Sequence, residues 1–442
     1  MRSFLLFLIV SCLAFADGEQ ANASKYSLQQ CIDYAMEHSP VLSKQNINVM
    51  NQKLQTVIEE AAFDFKLNGG YTQRAQAGSS DSSITLNKEF ENGFDVRSWV
   101  SSVRENGKGV TSSYVAVQVS KSILGSGRAS EVRFNLDASM LDEISVCNTY
   151  NRARRKLAQD VKVAYYGIIQ AQQSLLVKER ALKNAEHTLA LTKEREKPLD
   201  IMTAQIRIPE NELQVNYAKR AIYNGLDALK ELIGMEVTEP FDITGDFDYH
   251  VKDQNLKEDL IFAQDNLETF LNNRLERRKL QMQEEIYDNK TIPDVKLSAT
   301  HYQYGNGDGF NFDGKDEQVI ALNFTWNLGR TAELARLQSC RNRLESNQKD
   351  YFILQQELKT TVIGYHRRLL ESADAVKLQE SICDFQKRKE ELYRDKWENG
   401  EIDILELVRT QTDLENAYVT LIEKKIAYLQ LLANYEFAVG RM

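Results

Sequence analysis

A strict seven-residue spacing of apolar side chains constrains this chain more than any other feature. Ile201, Ile208, Val215, Ile222 and Leu229 recur at that interval and stop at Gly234. At an offset of 206 residues stand Leu407, Leu414, Leu421, Tyr428 and Tyr435, which stop at Gly440, with Gln205 falling on Gln411. Seven residues fall slightly short of two turns of a straight helix, so such a seam stays against a neighbour only if the helices supercoil to the left. Two such helices at one offset predict a duplicated unit. Longer helices carry a related pattern: Leu157, Val161, Ala164, Ile168, Ala171, Leu175, Leu182, Ala185 and Leu189 step by four and three, and Leu354, Leu358, Val362, Tyr365 and Leu369 nearly do. No proline interrupts the chain from Ala129 to about Arg195. At 1.5 Å per residue such a helix is on the order of 100 Å long, which suits a bridge or a tunnel wall and not a compact globule.

Composition agrees, with only 5 Pro and 21 Gly in 442 residues. The formal net charge is -9 and basic residues are interleaved with acidic ones, so there is no basic face for a phosphate backbone and nucleic acid is excluded as a partner. The chain opens with Met1-Arg2, an apolar run from Phe4 to Val10, and Ala14-Phe15-Ala16. This reads as a secretory signal peptide over residues 1–16; the rival reading is lipoprotein processing at Cys12. Beyond it no stretch approaches the roughly 20 apolar residues of a membrane-spanning helix, so any crossing of a membrane must use strands. Cys31, Cys147, Cys340 and Cys383 stand apart with no metal or redox spacing and read as packing residues. Gly125-Ser126-Gly127 is a turn and not a phosphate cradle. The sequence offers no nucleophile paired with a base, and predicts neither an enzyme nor a cofactor.

Four short segments alternate with a period of two. Val115, Val117 and Val119 oppose Ala116, Gln118 and Ser120; Ile320, Leu322, Phe324 and Trp326 oppose Ala321, Asn323 and Thr325. Phe63, Phe65, Leu67 and Tyr71 form a third apolar face, and Val295, Leu297 and Ala299 a fourth. Apolar residues outward and small polar residues inward fit a barrel with lipid outside and water inside. Four strands cannot close a lumen, and open edges in hydrocarbon cost several kcal/mol per unpaired group, so copies must share edges; three copies give twelve strands. Residues 77–112 form a long outer loop, in which Ile84 to Phe90 and Phe94 to Val103 read as an additional hairpin, favoured as an extracellular flap. Trp326, Tyr71, Tyr302 and Tyr304 are candidates for an aromatic girdle. The predicted organisation is residues 17–240 as a first repeat, 241–254 as a polar connector and 255–442 as a second repeat.

These residues resemble the TolC family of outer-membrane factors. Leu28, Cys31, Ala35 and His38-Ser39-Pro40 follow the family's opening-helix pattern, and Ser120 to Arg128 and Thr325 to Arg330 its strand-to-helix passage, without the family's proline. Trp397, Gly400, Leu405, Glu406, Leu407 and Gln411 resemble the tip of its helical hairpin; Leu199, Asp200, Ile201, Ala204 and Gln205 match more weakly and lack the glycine. The resemblance implies a mainly α chain with a membrane β-barrel: a homotrimer whose twelve-stranded barrel in outer-membrane lipid continues into an α-barrel across the periplasm. It implies partners too, a periplasmic adaptor (membrane fusion protein) and an inner-membrane RND or ABC transporter, for efflux or type I secretion. Carboxylates ringed about a threefold axis would narrow the tip and hold cations, which singles out Asp403, Glu401 and Asp200, with Gly400 allowing the chain to reverse. Their alternative role is helix capping. A competing function, an exported coiled-coil spacer or stalk, explains the heptads and export but has no use for the strands.

Overall fold

The computed structural model describes residues 24–74, 78–105, 110–125, 131–194, 197–245, 248–305, 312, 314–326 and 328–441. The signal segment 1–16, Cys12 and the pair Gly127-Arg128 lie outside the described residues. In chain order the elements are β1 (Ser24–Tyr26), α1 (Leu28–His38), α2 (Pro40–Glu60), a 3-10 turn (Ala61–Phe63), β2 (Lys66–Arg74), β3 (Ser79–Glu89), β4 (Phe94–Glu105) and β5 (Val110–Leu124). There follow α3 (Glu131–Glu194), α4 (Pro198–Ile233), β6 (Phe241–Ile243), α5 (Leu256–Asn266), α6 (Glu268–Asn289), β7 (Asp294–Tyr304), β8 (Asp316–Thr325), α7 (Thr331–Glu398) and α8 (Ile404–Val439).

The long proline-free patterns become α3, of 64 residues, and α7, of 68. The two heptad segments become α4 and α8, each of 36 residues and each bound offset by 206. The ten heptad residues from Ile201 to Tyr435 are all buried or half-buried. Both helices stop for one local reason. The backbone turns left-handed at Gly234 (φ 82) and Gly440 (φ 88), and the amides of Met235 and Arg441 reach back to the carbonyls of Lys230 and Glu436. That arrangement satisfies carbonyls the helix end would otherwise orphan. Pro209 lies inside α4, which continues through it as one helix. Among the described residues no helix is long and apolar enough to cross a membrane.

The chain divides into two compact units, each drawing on both halves of the sequence. In the unit formed by residues 1–39, 160–250 and 372–430 the helices are joined in the order α4, α3, α8, α7. Asn211 of α4 donates to the Ala181 carbonyl of α3 (3.4 Å), Gln430 of α8 to the Val163 carbonyl of α3 (3.1 Å), and Gln379 of α7 to the Ala417 carbonyl of α8 (3.1 Å). Here β1 and β6 form a short parallel pair. In the unit formed by residues 40–159, 251–371 and 431–442 the order is α2, α3, α6, α7. Thr56 meets Ser139 (3.1 Å), Lys279 pairs with Asp142 (2.8 Å), and Asn273 and Asn347 exchange side-chain bonds to each other's carbonyls (3.4 and 3.3 Å). The outermost helices of each row keep large apolar side chains exposed: Ile47 and Leu54 on α2, Met202 and Ile206 on α4, and Phe352, Leu378 and Phe385 on α7.

The second unit also holds an antiparallel sheet of six strands in the order β2-β3-β4-β5-β7-β8. This corrects the expectation of four strands per chain. The 84–103 hairpin lies in the sheet between β2 and β5, paired continuously from Lys66↔Asn87 to Arg74↔Ser79 on one side and from Phe94↔Lys121 onward on the other. Backbone pairing places it there, whereas its serine-rich run Ser79-Ser80-Asp81-Ser82-Ser83 reads locally as loop. Phe63 is the other departure, buried in the 3-10 turn before β2 begins. At the sheet's exit Gly125 (φ 83) is required, since a Cβ there would stand 2.7 Å from the Pro293 carbonyl oxygen.

Candidate functional site: a two-faced sheet and a helical tip

Because side chains alternate along each strand, the pairing register sorts them onto two faces. One face carries the rows Leu67, Leu86, Ser98, Val117, His301, Gln318 and Lys88, Val96, Val119, Ala299, Ile320. Val115, Leu322 and Phe324 share that face by parity, as does Trp326 just past β8. Val117, Val119, Ile320, Leu322, Phe324 and Trp326 are all exposed, Ile320 at 80 %. The apolar stretch is centred on Leu67–Tyr71 in β2, opposite residues 113–117 of β5, but in β8 on Leu322, opposite Leu297 and hence Lys121. The band therefore crosses the hydrogen-bonded rows obliquely, as it must where strands tilt by about 35–45° from a membrane normal.

The opposite face is polar. It carries Asn68, Thr85, Trp99, Ala116, Tyr302 and Glu317 in one row and Lys66, Asn87, Arg97, Gln118, Thr300 and Val319 in the next. Gln118 donates to Thr300 (3.1 Å) and Lys296 pairs with Asp95 (2.9 Å). Tyr302 and Tyr304 belong to this face and not to an outer girdle, a second correction. They form an aromatic cluster with Trp99 and Tyr114: Trp99 meets Tyr302 edge-on at 5.9 Å, and Tyr302 stacks with Tyr304 at 6.1 Å. Ala116 makes this possible, since on the intervening strand only its methyl group stands between Trp99 and Tyr302, and the rings leave it 1 % exposed.

Tyr71 lies on the apolar face further along β2, and the other aromatics of that face gather at the helix-side end. Phe65, Phe90 and Phe94 are exposed there, with Lys88 at 5.0 Å from the Phe65 ring centre and Lys121 at 4.3 Å from that of Phe94. Phe324 and Trp326 continue the group, 6.5 Å apart, with the Arg330 guanidinium over Trp326. Aromatic rings with long cationic side chains suit a membrane-water boundary, where rings stay in the apolar layer and charged heads reach water.

At the C-terminal ends of α3 and α7 the two hairpins meet. Trp397 (2 % exposed) is buried with Ala204, Ile404 and Leu407, and Leu189, Leu191 and Tyr393 pack around them. The cluster thus joins α3, α4, α7 and α8. Gly400 (φ 79) ends α7: its own amide bonds back to Trp397 (3.0 Å) and that of Glu401 to Lys396 (2.9 Å). Nothing stands within 4 Å of a Cβ built at Gly400, so its requirement is conformational alone, and Gly400→Ala is expected to cost about 1 kcal/mol through left-handed strain. Thermal unfolding of the variant measures it. Glu401 and Asp403 are exposed in the turn, Asp403 just before α8, and Asp200 is half-buried in the first turn of α4. All three sit where acidic side chains favour helix starts or turns.

A polar link missed in the sequence lies near this cluster. Arg207 of α4 donates to the Thr412 hydroxyl of α8 (2.9 Å), with a Glu415 carboxylate oxygen 4.0 Å from the same guanidinium. Burial raises the Glu415 pKa above its ordinary value, and Arg207 and Lys178 pull it back down. No local motif marks Arg207; the link exists only because α4 and α8 converge. The cysteines behave as packing groups: Cys340 and Cys383 donate to helix carbonyls, and burial pushes Cys31 up to about 11.

No family model matches the sequence, and no curated protein matches it. Solved structures do. The open state of the Neisseria gonorrhoeae MtrE outer membrane channel matches with a TM-score of 0.71 at 16 % identity, over 93 % of this chain and 88 % of that one. The outer membrane protein VceC of Vibrio cholerae gives 0.68 at 15 % identity, over 93 % and 96 %. CusC, solved to follow folding and transmembrane channel formation, gives 0.69 at 13 % identity, over 96 % and 95 %. At such low identity it is the path of the backbone that is shared, and this chain has the fold of these outer-membrane channels, as its resemblance to the TolC family implies.

Proposed function

We propose that this chain is the subunit of an export channel in the bacterial outer membrane, a passive duct that performs no chemistry on what it carries. The observation that carries the reading is the two-faced sheet: an exposed apolar face backed by a polar one, with two unpaired edges, in a chain whose helical rows also end in exposed apolar stripes. A single copy in hydrocarbon would leave the backbone groups of both edge strands without partners, at several kcal/mol each. Three copies sharing edges remove that cost and surround an axis with the polar face. The stalk alternative leaves the apolar face of the sheet unexplained.

The helical tips are the place to close such a tube and to dock a periplasmic adaptor, which would couple it to an inner-membrane RND or ABC transporter. Asp403 and Glu401, exposed in the tip turn, would form carboxylate rings about the threefold axis; Asp200, on the first hairpin, adds to the same end. Conductance of the purified oligomer in a planar bilayer tests both levels. A small, cation-selective current is expected, with selectivity falling in Asp403→Ala. Unchanged selectivity in that variant removes Asp403 from the pore; a protein that extracts with salt and conducts nothing removes the channel.

A further inference from the structure

We propose that the β3–β4 hairpin belongs to the membrane wall, so that the oligomer closes as an eighteen-stranded barrel and not a twelve-stranded one. This rests on the reading of the chain as a trimeric channel subunit. The sheet has two unpaired edges, β2 and β8. Every neighbouring pair is antiparallel, so with six strands β2 and β8 run in opposite directions. Setting β8 of one copy beside β2 of the next therefore continues the same antiparallel pattern at each seam, and a ring of three copies closes with no edge left.

The hairpin has what a wall segment needs and a flap does not. Its strands span 11 and 12 residues, enough for the roughly 9–11 of a tilted membrane strand. Ile84, Leu86, Val96 and Val100 fall on the exposed apolar face, in register with Leu67 on one side and with Val115, Val117 and Val119 on the other. The alternate positions Thr85, Arg97, Trp99 and Ser101 fall on the polar face, where Trp99 closes over Ala116 against Tyr302. Lys88, the charged residue that β3 places on the apolar face, lies at the strand's helix-side end between Phe65 and Phe90, within reach of a headgroup layer. Removing the hairpin would leave β2 and β5 to find each other without the partners that now satisfy both.

The consequence is width. With strands about 4.8 Å apart and tilted about 40°, twelve strands give a barrel about 24 Å across between backbones, and eighteen give about 36 Å. The larger value is that of barrels with an aqueous channel. It also fits the helical part of the same unit, where four helices per chain, twelve in the ring at about 8–10 Å each, give a circumference of about 100–120 Å against about 110 Å for eighteen strands.

Nitroxide labels on single cysteines, read by power saturation in proteoliposomes of the full-length oligomer, test this in a Cys147→Ser background. Labels at Val96, Ser98 and Val100 are expected to respond to oxygen dissolved in lipid, and labels at Arg97, Trp99 and Ser101 to a water-soluble nickel chelate. Val117 and Gln118 of β5 serve as the reference pair. If that pair alternates while all six β4 positions see nickel, the hairpin is outside the wall and the barrel has twelve strands. If Val117 and Gln118 themselves fail to alternate, the channel reading falls, and this inference with it.

Discussion

Trp397→Ala is expected to hold the proposed channel open at rest. The indole is 2 % exposed and is the largest side chain in the cluster that joins the two hairpin tips. Truncating a buried tryptophan to alanine costs about 3–5 kcal/mol through lost burial and the cavity left behind. Every 1.4 kcal/mol is about tenfold in an equilibrium, so a cost borne by the closed tip moves the closed-to-open ratio by two orders of magnitude or more. Single-channel recording should therefore show a rise in open probability, while the proposed oligomer, whose contacts would lie at the sheet edges and helical stripes, stays assembled. Arg207→Ala should act in the same direction and less strongly, because it removes one charge-assisted bond to Thr412 and leaves the half-buried Glu415 without its nearest cation. A Trp397→Ala channel with unaltered resting current would mean that the tip cluster is not where the tube is shut.

A single charge on the apolar face should matter as much, and for a different reason. Val117 lies near the middle of that face and is 43 % exposed, while its neighbour Gln118 points to the polar side and bonds to Thr300. Arginine at the lipid-facing midplane of a barrel costs about 2–4 kcal/mol, and the proposed threefold oligomer would bear that cost three times. Val117→Arg is thus expected to deplete the proposed oligomer from the outer-membrane fraction, whereas Gln118→Arg should assemble normally and alter ion selectivity. Equal losses from the two substitutions would mean that the faces have been assigned the wrong way round, or that neither meets lipid.

Much of this architecture could be read before any coordinates. The bounds of α4 and α8 follow from the heptads and their terminal glycines, because a helix whose neighbours lie along one seam must repeat its apolar residues at the seam's period, and Gly234 and Gly440 supply the left-handed turn that ends it. The faces of β5 and β8 follow from simple alternation. The same parity puts Tyr302 and Tyr304 opposite Leu297 and Ala299, so their place on the polar face was legible too, although aromatic character alone suggested an outer girdle.

Other features belong to the tertiary structure alone. The 84–103 hairpin is legible as two strands, but whether it joins the sheet depends on pairing with the flanking strands β2 and β5, since its serine-rich run Ser79 to Ser83 carries little local signal. The Trp397 cluster and the Arg207–Thr412 link depend on four helix ends converging, and no spacing along the chain encodes that convergence. Sequence periodicity determined which elements form and which way their side chains point, because those are properties of one segment and its local geometry. Tertiary contact decided how many strands share the sheet and which residues hold the tips together, because those depend on which segments find one another.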